Sequence, residues 1–193
     1  MDHEFEAKCI VESVDDARQR CVRIGARLVH AERLLRRVVY DFSDGSLDQR
    51  GAWVRVRDEG DSITMSYKQA PVGSTVSDCF ETELVIDSFD RGMRFCEDLG
   101  MVRKSSQETK RESWETGDAK FDIDTWPGIP TFMEVEAADE ATVQRYVEAL
   151  GFRWSDAIFG GVGAVYIRYL GLAEATVNWI PEISFSNPPE RRT

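Results

Sequence analysis

Four short stretches of the chain place charged or polar groups two residues apart: Glu4-Phe5-Glu6-Ala7-Lys8, Arg55-Val56-Arg57, Ser66-Tyr67-Lys68 and Glu134-Val135-Glu136. In a β-strand, side chains two apart share a face. Each stretch then has one charged face and one apolar face, the latter carried by Phe5, Val56, Tyr67 and Val135. Two acidic and two basic strands imply a polar lumen in which carboxylates and cations meet. Hard cations such as Mg²⁺ and Mn²⁺ take carboxylate oxygens and complete their shell with water and phosphate oxygens. Glu4 with Glu6 and Glu134 with Glu136 supply two such pairs; Asp122 with Asp124 and Glu81 with Glu83 add two more. Arg55 and Arg57 suit a bidentate grip on phosphate oxygens. Lys8, Lys68 and Arg111 add charge along a triphosphate.

Elements of a recognisable order must position these groups. A strand is expected over 3–12, then a helix from Ser13-Val14-Asp15-Asp16 to Gly25, where a left-handed cap belongs. The same phrase returns from Ser88-Phe89-Asp90 to Gly100 and from Asp139-Glu140 to Gly151. Strand patterns occupy 28–42, 51–58, 62–70, 78–87, 102–116, 119–125 and 131–137, with turns at Asp44-Gly45, Asp58-Glu59-Gly60-Asp61 and Gly117-Asp118. Trp126-Pro127-Gly128-Ile129-Pro130 interrupts them. In 156–170, Gly160, Gly161 and Gly163 oppose helix up to Ala164, and the glycine run reads as a flexible loop. The tail Asn187–Thr193 is expected to fray. Eight strands with apolar faces outward against helices and charged faces inward predict an α+β fold: an eight-stranded antiparallel closed barrel with a polar, ligand-holding lumen. Residues 1–172 form this domain and 173–193 a C-terminal extension.

Composition narrows the partners. The 193 residues carry 42% hydrophobic side chains and a formal net charge of −11, enough apolar content for a real core. An acidic surface repels nucleic acid and anionic membranes, so neither is expected as a partner. A local basic cluster must draw in any anion, and Arg33, Arg36, Arg37, Lys104, Lys110 and Arg111 are available beside Arg55, Arg57 and Lys68. Cys9, Cys21, Cys79 and Cys96 show no metal-ligand spacing, and His3 and His30 are too few to supply it. The opening Met1-Asp2-His3-Glu4 runs straight into a strand pattern and no apolar run is long enough for a membrane span. The expectation is a cytoplasmic protein with reduced, buried thiols. Neither a phosphate-binding G-x-x-x-x-G-K-[ST] loop nor a G-x-S-x-G elbow is present.

These residues resemble a known family. Glu4-x-Glu6-x-Lys8 is similar to the E-x-E-x-K signature of the CYTH superfamily, the triphosphate tunnel metalloenzymes, which include class IV adenylyl cyclases, thiamine triphosphatases and inorganic triphosphatases. The other motifs follow in order: Gly51-Ala52-Trp53-Val54-Arg55-Val56-Arg57, Met65-Ser66-Tyr67-Lys68, Glu81-Thr82-Glu83, Lys110-Arg111-Glu112-Ser113-Trp114 and Asp122-Ile123-Asp124. Asp124 to Glu136 resembles D-x-x-x-G-[LI]-x-x-F-x-E-[IV]-E. The likeness covers about residues 3–170.

The resemblance implies an eight-stranded tunnel in which Glu4, Glu6, Glu134 and Glu136, helped by Asp124, hold Mg²⁺ or Mn²⁺. Lys8, Arg55, Arg57, Lys68 and Arg111 would bind the triphosphate, and Lys8, beside the metal pair, would also act catalytically by positioning or activating water. Lys110 and Arg111 face opposite ways on a strand, so only Arg111 is assigned to the lumen, with Lys104 as an extra. Some cyclase members carry a His-Phe pair ahead of the acidic signature, which His3-Glu4-Phe5 does not reproduce. The family often closes the tunnel with a basic residue on a C-terminal helix, and 155–171 offers Arg168 alone. The leading expectation is a metal-dependent triphosphatase acting on inorganic triphosphate or on a nucleoside or thiamine triphosphate. A class IV adenylyl cyclase making cyclic AMP and pyrophosphate, and a polyphosphate-binding module without turnover, are the alternatives. The sequence leaves monomer and homodimer both open.

Overall fold

The computed structural model describes residues 2–70, 79–177 and 179–190. Along them the chain forms β1 (Asp2–Ile10), α1 (Val14–Arg23), β2 (Arg27–Phe42), β3 (Ala52–Asp58), β4 (Ile63–Gln69), β5 (Cys79–Ile86), α2 (Phe89–Asp98), β6 (Met101–Glu115), β7 (Ala119–Thr125), β8 (Phe132–Ala137), α3 (Glu140–Ala149), α4 (Gly163–Leu170), α5 (Glu174–Val177) and β9 (Glu182–Ile183). Strands β1 to β8 close into an antiparallel barrel in the order β1-β8-β7-β6-β2-β3-β4-β5, with β5 returning to β1. The alternation in the sequence predicts this fold. Position 78, expected to open the fifth strand, lies outside the described residues.

The outer face holds the core. Ala7 and Cys9 of β1 and Phe121 and Val135 of β7 and β8 are buried against Ala17 and Cys21 of α1 and Val143 and Val147 of α3. On another side Val38, Tyr40 and Val56 bury against Cys96 of α2. Burying one Val or Leu side chain contributes about 1.5–3 kcal/mol, so this outer layer stabilises the barrel while the lumen stays polar. All four cysteines are free and buried.

The three repeated phrases become three capped helices. Ser13 Oγ accepts the Asp16 N–H at 3.1 Å, Ser88 Oγ that of Arg91 at 3.3 Å, and an Asp139 carboxylate oxygen that of Thr142 at 2.9 Å. Such caps satisfy amide groups that the first helical turn leaves open. Gly100 and Gly151, with φ of 83° and 88°, stop α2 and α3 in the left-handed conformation.

The C-terminal segment packs on the barrel. Val165, Tyr166, Leu172, Val177 and Ile183 join Trp126, Ile129 and Phe132 in one buried cluster. The short β9 pairs in parallel with β6, and the Ser106 N–H donates to the Pro181 carbonyl at 2.9 Å. Part of the tail expected to fray touches the fold, at Asn187 and Pro189. Asn187 donates to the Ser184 carbonyl at 3.1 Å, and a Cβ on Gly128 would stand 2.5 Å from the Pro189 carbonyl oxygen. Residues 191–193 of that tail lie outside the described residues. Among the described residues no helix is long and apolar enough to cross a membrane.

Candidate active site

A cavity of about 540 Å³ occupies the barrel. Glu4, Glu6, Lys8, Arg55, Arg57, Lys68, Arg111, Asp124, Glu134 and Glu136 all line it. Strand order separates the charges, because β1 and β8 stand three or four places round the barrel from β2 and β3. The first pair carries Glu4, Glu6, Glu134 and Glu136; the second carries Arg33, Arg37, Arg55 and Arg57.

The acidic wall is tied together by two buried lysines. Lys8 Nζ lies 2.9 Å from Glu6 Oε1 and 3.8 Å from Glu134 Oε2, and donates to the Gly160 carbonyl at 2.7 Å. Lys68 Nζ lies 2.8 Å from Glu4, 3.1 Å from Glu6 and 3.7 Å from Glu81. Burial opposes the charge on Glu6, yet Lys68 and Lys8 hold its carboxyl well below the usual range. Burial pushes Glu4 up to about 7 against the pull of Lys68. Burial and the Glu6 carboxylate push Glu134 up to about 8. Lys8 moves the other way from its burial, because Glu134 and Glu6 hold it protonated.

Arg111 belongs to the acidic side. Its Nε and Nη2 donate to the two oxygens of Asp124 at 2.8 and 2.5 Å, and its Nη1 to Asp122 at 2.6 Å. Asp124 and Arg111 therefore enter the lumen as expected, but each engages the other. Lys110 points outward, 3.7 Å from Glu32. Glu136 sits at the rim with Lys120 at 3.1 Å.

On the basic wall Arg55 pairs with Glu81 at 2.8 Å, and Arg57 with Glu59 at 2.5 Å and Glu83 at 3.3 Å. Arg37 differs from them. It is 5% exposed, its Nη2 donates to Thr109 Oγ1 at 2.5 Å, and its guanidinium lies 4.6 Å from the Trp126 ring centre. Its Nε has no acceptor, and no salt-bridge carboxylate faces it, among the described residues. Burial, reinforced by Arg57, Arg55 and Arg111 and only partly opposed by Asp124, depresses its pKa well below the ordinary guanidinium value. A buried cation in that position wants an anion.

Arg37 is absent from the ten residues that the resemblance assigns. Alternation puts either Arg36 or Arg37 in the lumen, and the pairing of β2 with β3 and β6, unbroken from Arg36 to Val39, turns Arg37 inward with Arg33 and Val39. Two other cations considered from the sequence serve elsewhere. Lys104 lines the cavity but is bound to Asp48, while Arg168 donates to the Asp156 carbonyl at 3.3 Å outside it.

The carboxylate set suits a hard divalent ion in chemistry, because every donor is an oxygen. Among the described residues no three acidic, His or Cys side chains converge at metal-binding geometry; Lys8, Lys68 and Arg111 hold them instead.

With this geometry in hand, the likeness to known proteins is direct. The model of the CYTH domain matches residues 2–151. The chain belongs to the CYTH family. Several solved structures share its fold. A putative adenylate cyclase from Vibrio parahaemolyticus superposes with a TM-score of 0.70 at 18% identity, covering 89% of this chain and 99% of that one. The PH1012 protein of Pyrococcus horikoshii does so at 0.68 and 15% identity, covering 80% and 94%. A putative adenylyl cyclase from Hippeastrum, described as revealing a dominant triphosphatase activity, gives 0.56 at 16% identity over 79% and 89%. No curated protein matches the chain. The CYTH match ends at residue 151, and α4, α5 and β9 lie beyond it, although residues of each line the CYTH cavity.

Proposed function

We propose that this CYTH protein is a divalent-metal-dependent triphosphatase that removes the terminal phosphate of inorganic triphosphate or of a nucleoside or thiamine triphosphate. The observation that carries this reading is Arg37, a buried guanidinium with no carboxylate partner among the described residues, set beside Arg55 and Arg57 and facing a wall of glutamates. A polyphosphate lying along the lumen gives Arg37 its anion and reaches the acidic wall with its other end.

Glu4, Glu6, Glu134 and Glu136, with Asp124, would hold Mg²⁺ or Mn²⁺. When bound, the ion supplies Lewis-acid polarisation of a phosphoryl oxygen and a more acidic water. Arg37, Arg55, Arg57, Lys68 and Arg111 neutralise the charge that spreads over the equatorial oxygens as the terminal P–O bond breaks. Arg55 and Arg57 must exchange part of their contact with Glu81, Glu83 and Glu59 for the substrate. Lys8 is held protonated by Glu6 and Glu134. It therefore donates hydrogen bonds to a phosphoryl oxygen or to the attacking water, and does not take the proton from that water. The low dielectric of the closed barrel strengthens each of these contacts.

The test is product analysis on inorganic triphosphate, ATP and thiamine triphosphate with Mg²⁺ or Mn²⁺. Orthophosphate released in step with a diphosphate product is expected. Cyclic AMP and pyrophosphate from ATP would replace this reading with the cyclase. Tight binding with no product would leave a binding module.

A further inference from the structure

The glycine run Gly160-Gly161-Val162-Gly163 lines the lumen just ahead of α4. We propose that the backbone N–H groups of Gly161, Val162 and Gly163 bind phosphoryl oxygens there, doing in this chain what a basic side chain would otherwise do. The inference rests on the triphosphate reading and adds a site to it.

The first helical turn leaves amide N–H groups without intrahelical partners, and the helix dipole makes that end positive. Phosphate binds such ends readily, the more so where consecutive N–H groups line a concavity. In α4 the Ala164 and Val165 amides turn back to the carbonyls of Gly161 and Val162 at 3.0 and 2.9 Å. No side chain caps the helix, and the amides of Gly161, Val162 and Gly163 have no acceptor among the described residues. All three residues are only partly buried and face the cavity. Glycine at two of the three lets an oxygen approach the backbone closely.

Arg37 is a second sign that this lumen takes an anion. It is 95% buried in the same cavity wall and has no carboxylate partner among the described residues. Its guanidinium stacks 4.6 Å from the Trp126 ring, and Trp126 meets Tyr166 of α4 edge-on at 6.3 Å, so Arg37 and α4 are joined through two aromatic rings. The run is also fixed to the substrate wall on both sides. The Gly160 carbonyl accepts the Lys8 ammonium at 2.7 Å, and Gly161 lies against Trp53, which shares a strand face with Arg55. The side chain that sequence offered for this role, Arg168, is outside the lumen.

Val162 has φ −57° and ψ −22° and its neighbours close an Ala164-to-Gly161 bond. This is the second position of a type I turn, where proline is favoured. Val162→Pro thus deletes one N–H with little change of backbone, whereas Val162→Ala keeps it. The full chain is titrated calorimetrically with inorganic triphosphate and Mg²⁺. Losing one charge-assisted hydrogen bond should weaken Val162→Pro by roughly tenfold, and Val162→Ala should bind at least about fivefold tighter than Val162→Pro. Equal affinity of Val162→Pro and the native chain, or equal weakening of both variants, overturns the inference. Should Val162→Pro fail to fold, amide NMR of the native chain decides: downfield shifts of Gly161, Val162 and Gly163 on adding triphosphate support it, and unmoved amides overturn it. No binding by the native chain would refute the triphosphate reading itself, an outcome distinct from a loss confined to Val162→Pro.

Discussion

Arg37 and Arg57 stand directly opposite each other on neighbouring strands of the barrel, and among the described residues only Arg57 is salt-bridged to carboxylates. Two guanidiniums on one buried face repel, and Arg37 has the Thr109 hydroxyl and the Trp126 ring, but no salt-bridged carboxylate among the described residues, to offset that. On the proposed triphosphate reading, Arg37 is a group kept for the ligand at some expense to the empty fold.

Arg37→Met should therefore separate stability from binding. Met fills the space over Trp126 and makes sulfur–aromatic contact, while the unpaired charge is gone. Without ligand the variant is expected to gain about 1 kcal/mol, or roughly 2–4 °C in Tm for a chain of this size. Inorganic triphosphate should raise the Tm of the native protein and leave that of Arg37→Met unmoved. An equal ligand-induced rise in both would show that Arg37 does not touch the anion.

Glu6 makes the opposite trade. Its carboxylate holds both Lys8 and Lys68. Glu6→Gln should cost about 3 kcal/mol in urea unfolding, the scale of breaking a buried ion pair. It should also lower phosphate release more than 100-fold at saturating Mg²⁺, the loss expected when a metal ligand and a charge partner go together. Mg²⁺ should raise the native Tm without substrate, EDTA should reverse the rise, and Glu6→Gln should show less of it. Normal turnover of Glu6→Gln would remove Glu6 from the site.

Acid stability should depend on a pair outside the lumen. Arg18 donates to both oxygens of Glu112, at 3.1, 3.1 and 2.7 Å, and Trp114 Nε1 donates at 2.8 Å. Burial opposes the charge, but these donors hold the Glu112 carboxyl below its ordinary value. A depressed folded pKa gives stability that is present above the unfolded value, about 4.3, and is lost as pH falls through the folded one. Arg18 is partly exposed, so solvent limits the gain to about 1 kcal/mol. Urea unfolding between pH 3 and 7 should show a flatter acid limb for Glu112→Gln; an unchanged limb would exclude this pair as its source.

Gly128→Ala should release the C-terminal tail. Gly128 has φ 81°, and a Cβ there would meet the Pro189 carbonyl at 2.5 Å, a backbone atom that cannot rotate away. A cost of about 1–3 kcal/mol is expected, with faster proteolytic cleavage after residue 183. Native-like cleavage would mean that the contact does not hold the tail.

The sequence by itself determined the barrel and most of the lumen. Period-two alternation over Glu4–Lys8, Arg55–Arg57, Lys68 and Glu134–Glu136 allows one arrangement, charged faces in and apolar faces against helices, and Ser13, Ser88 and Asp139 mark helix starts by local hydrogen bonding alone. Local rules carry such information because each rests on neighbours in the chain. Tertiary structure alone decided the rest. Which of Arg36 and Arg37 enters the lumen is set by the pairing of β2 with β3 and β6, and the pairing of Asp124 with Arg111 depends on the register of β6 and β7. The placing of Gly160–Gly163 against Lys8, 152 residues away, follows from where the barrel closes. Contacts of that kind are set by packing between distant segments, which leaves no period in the sequence to read.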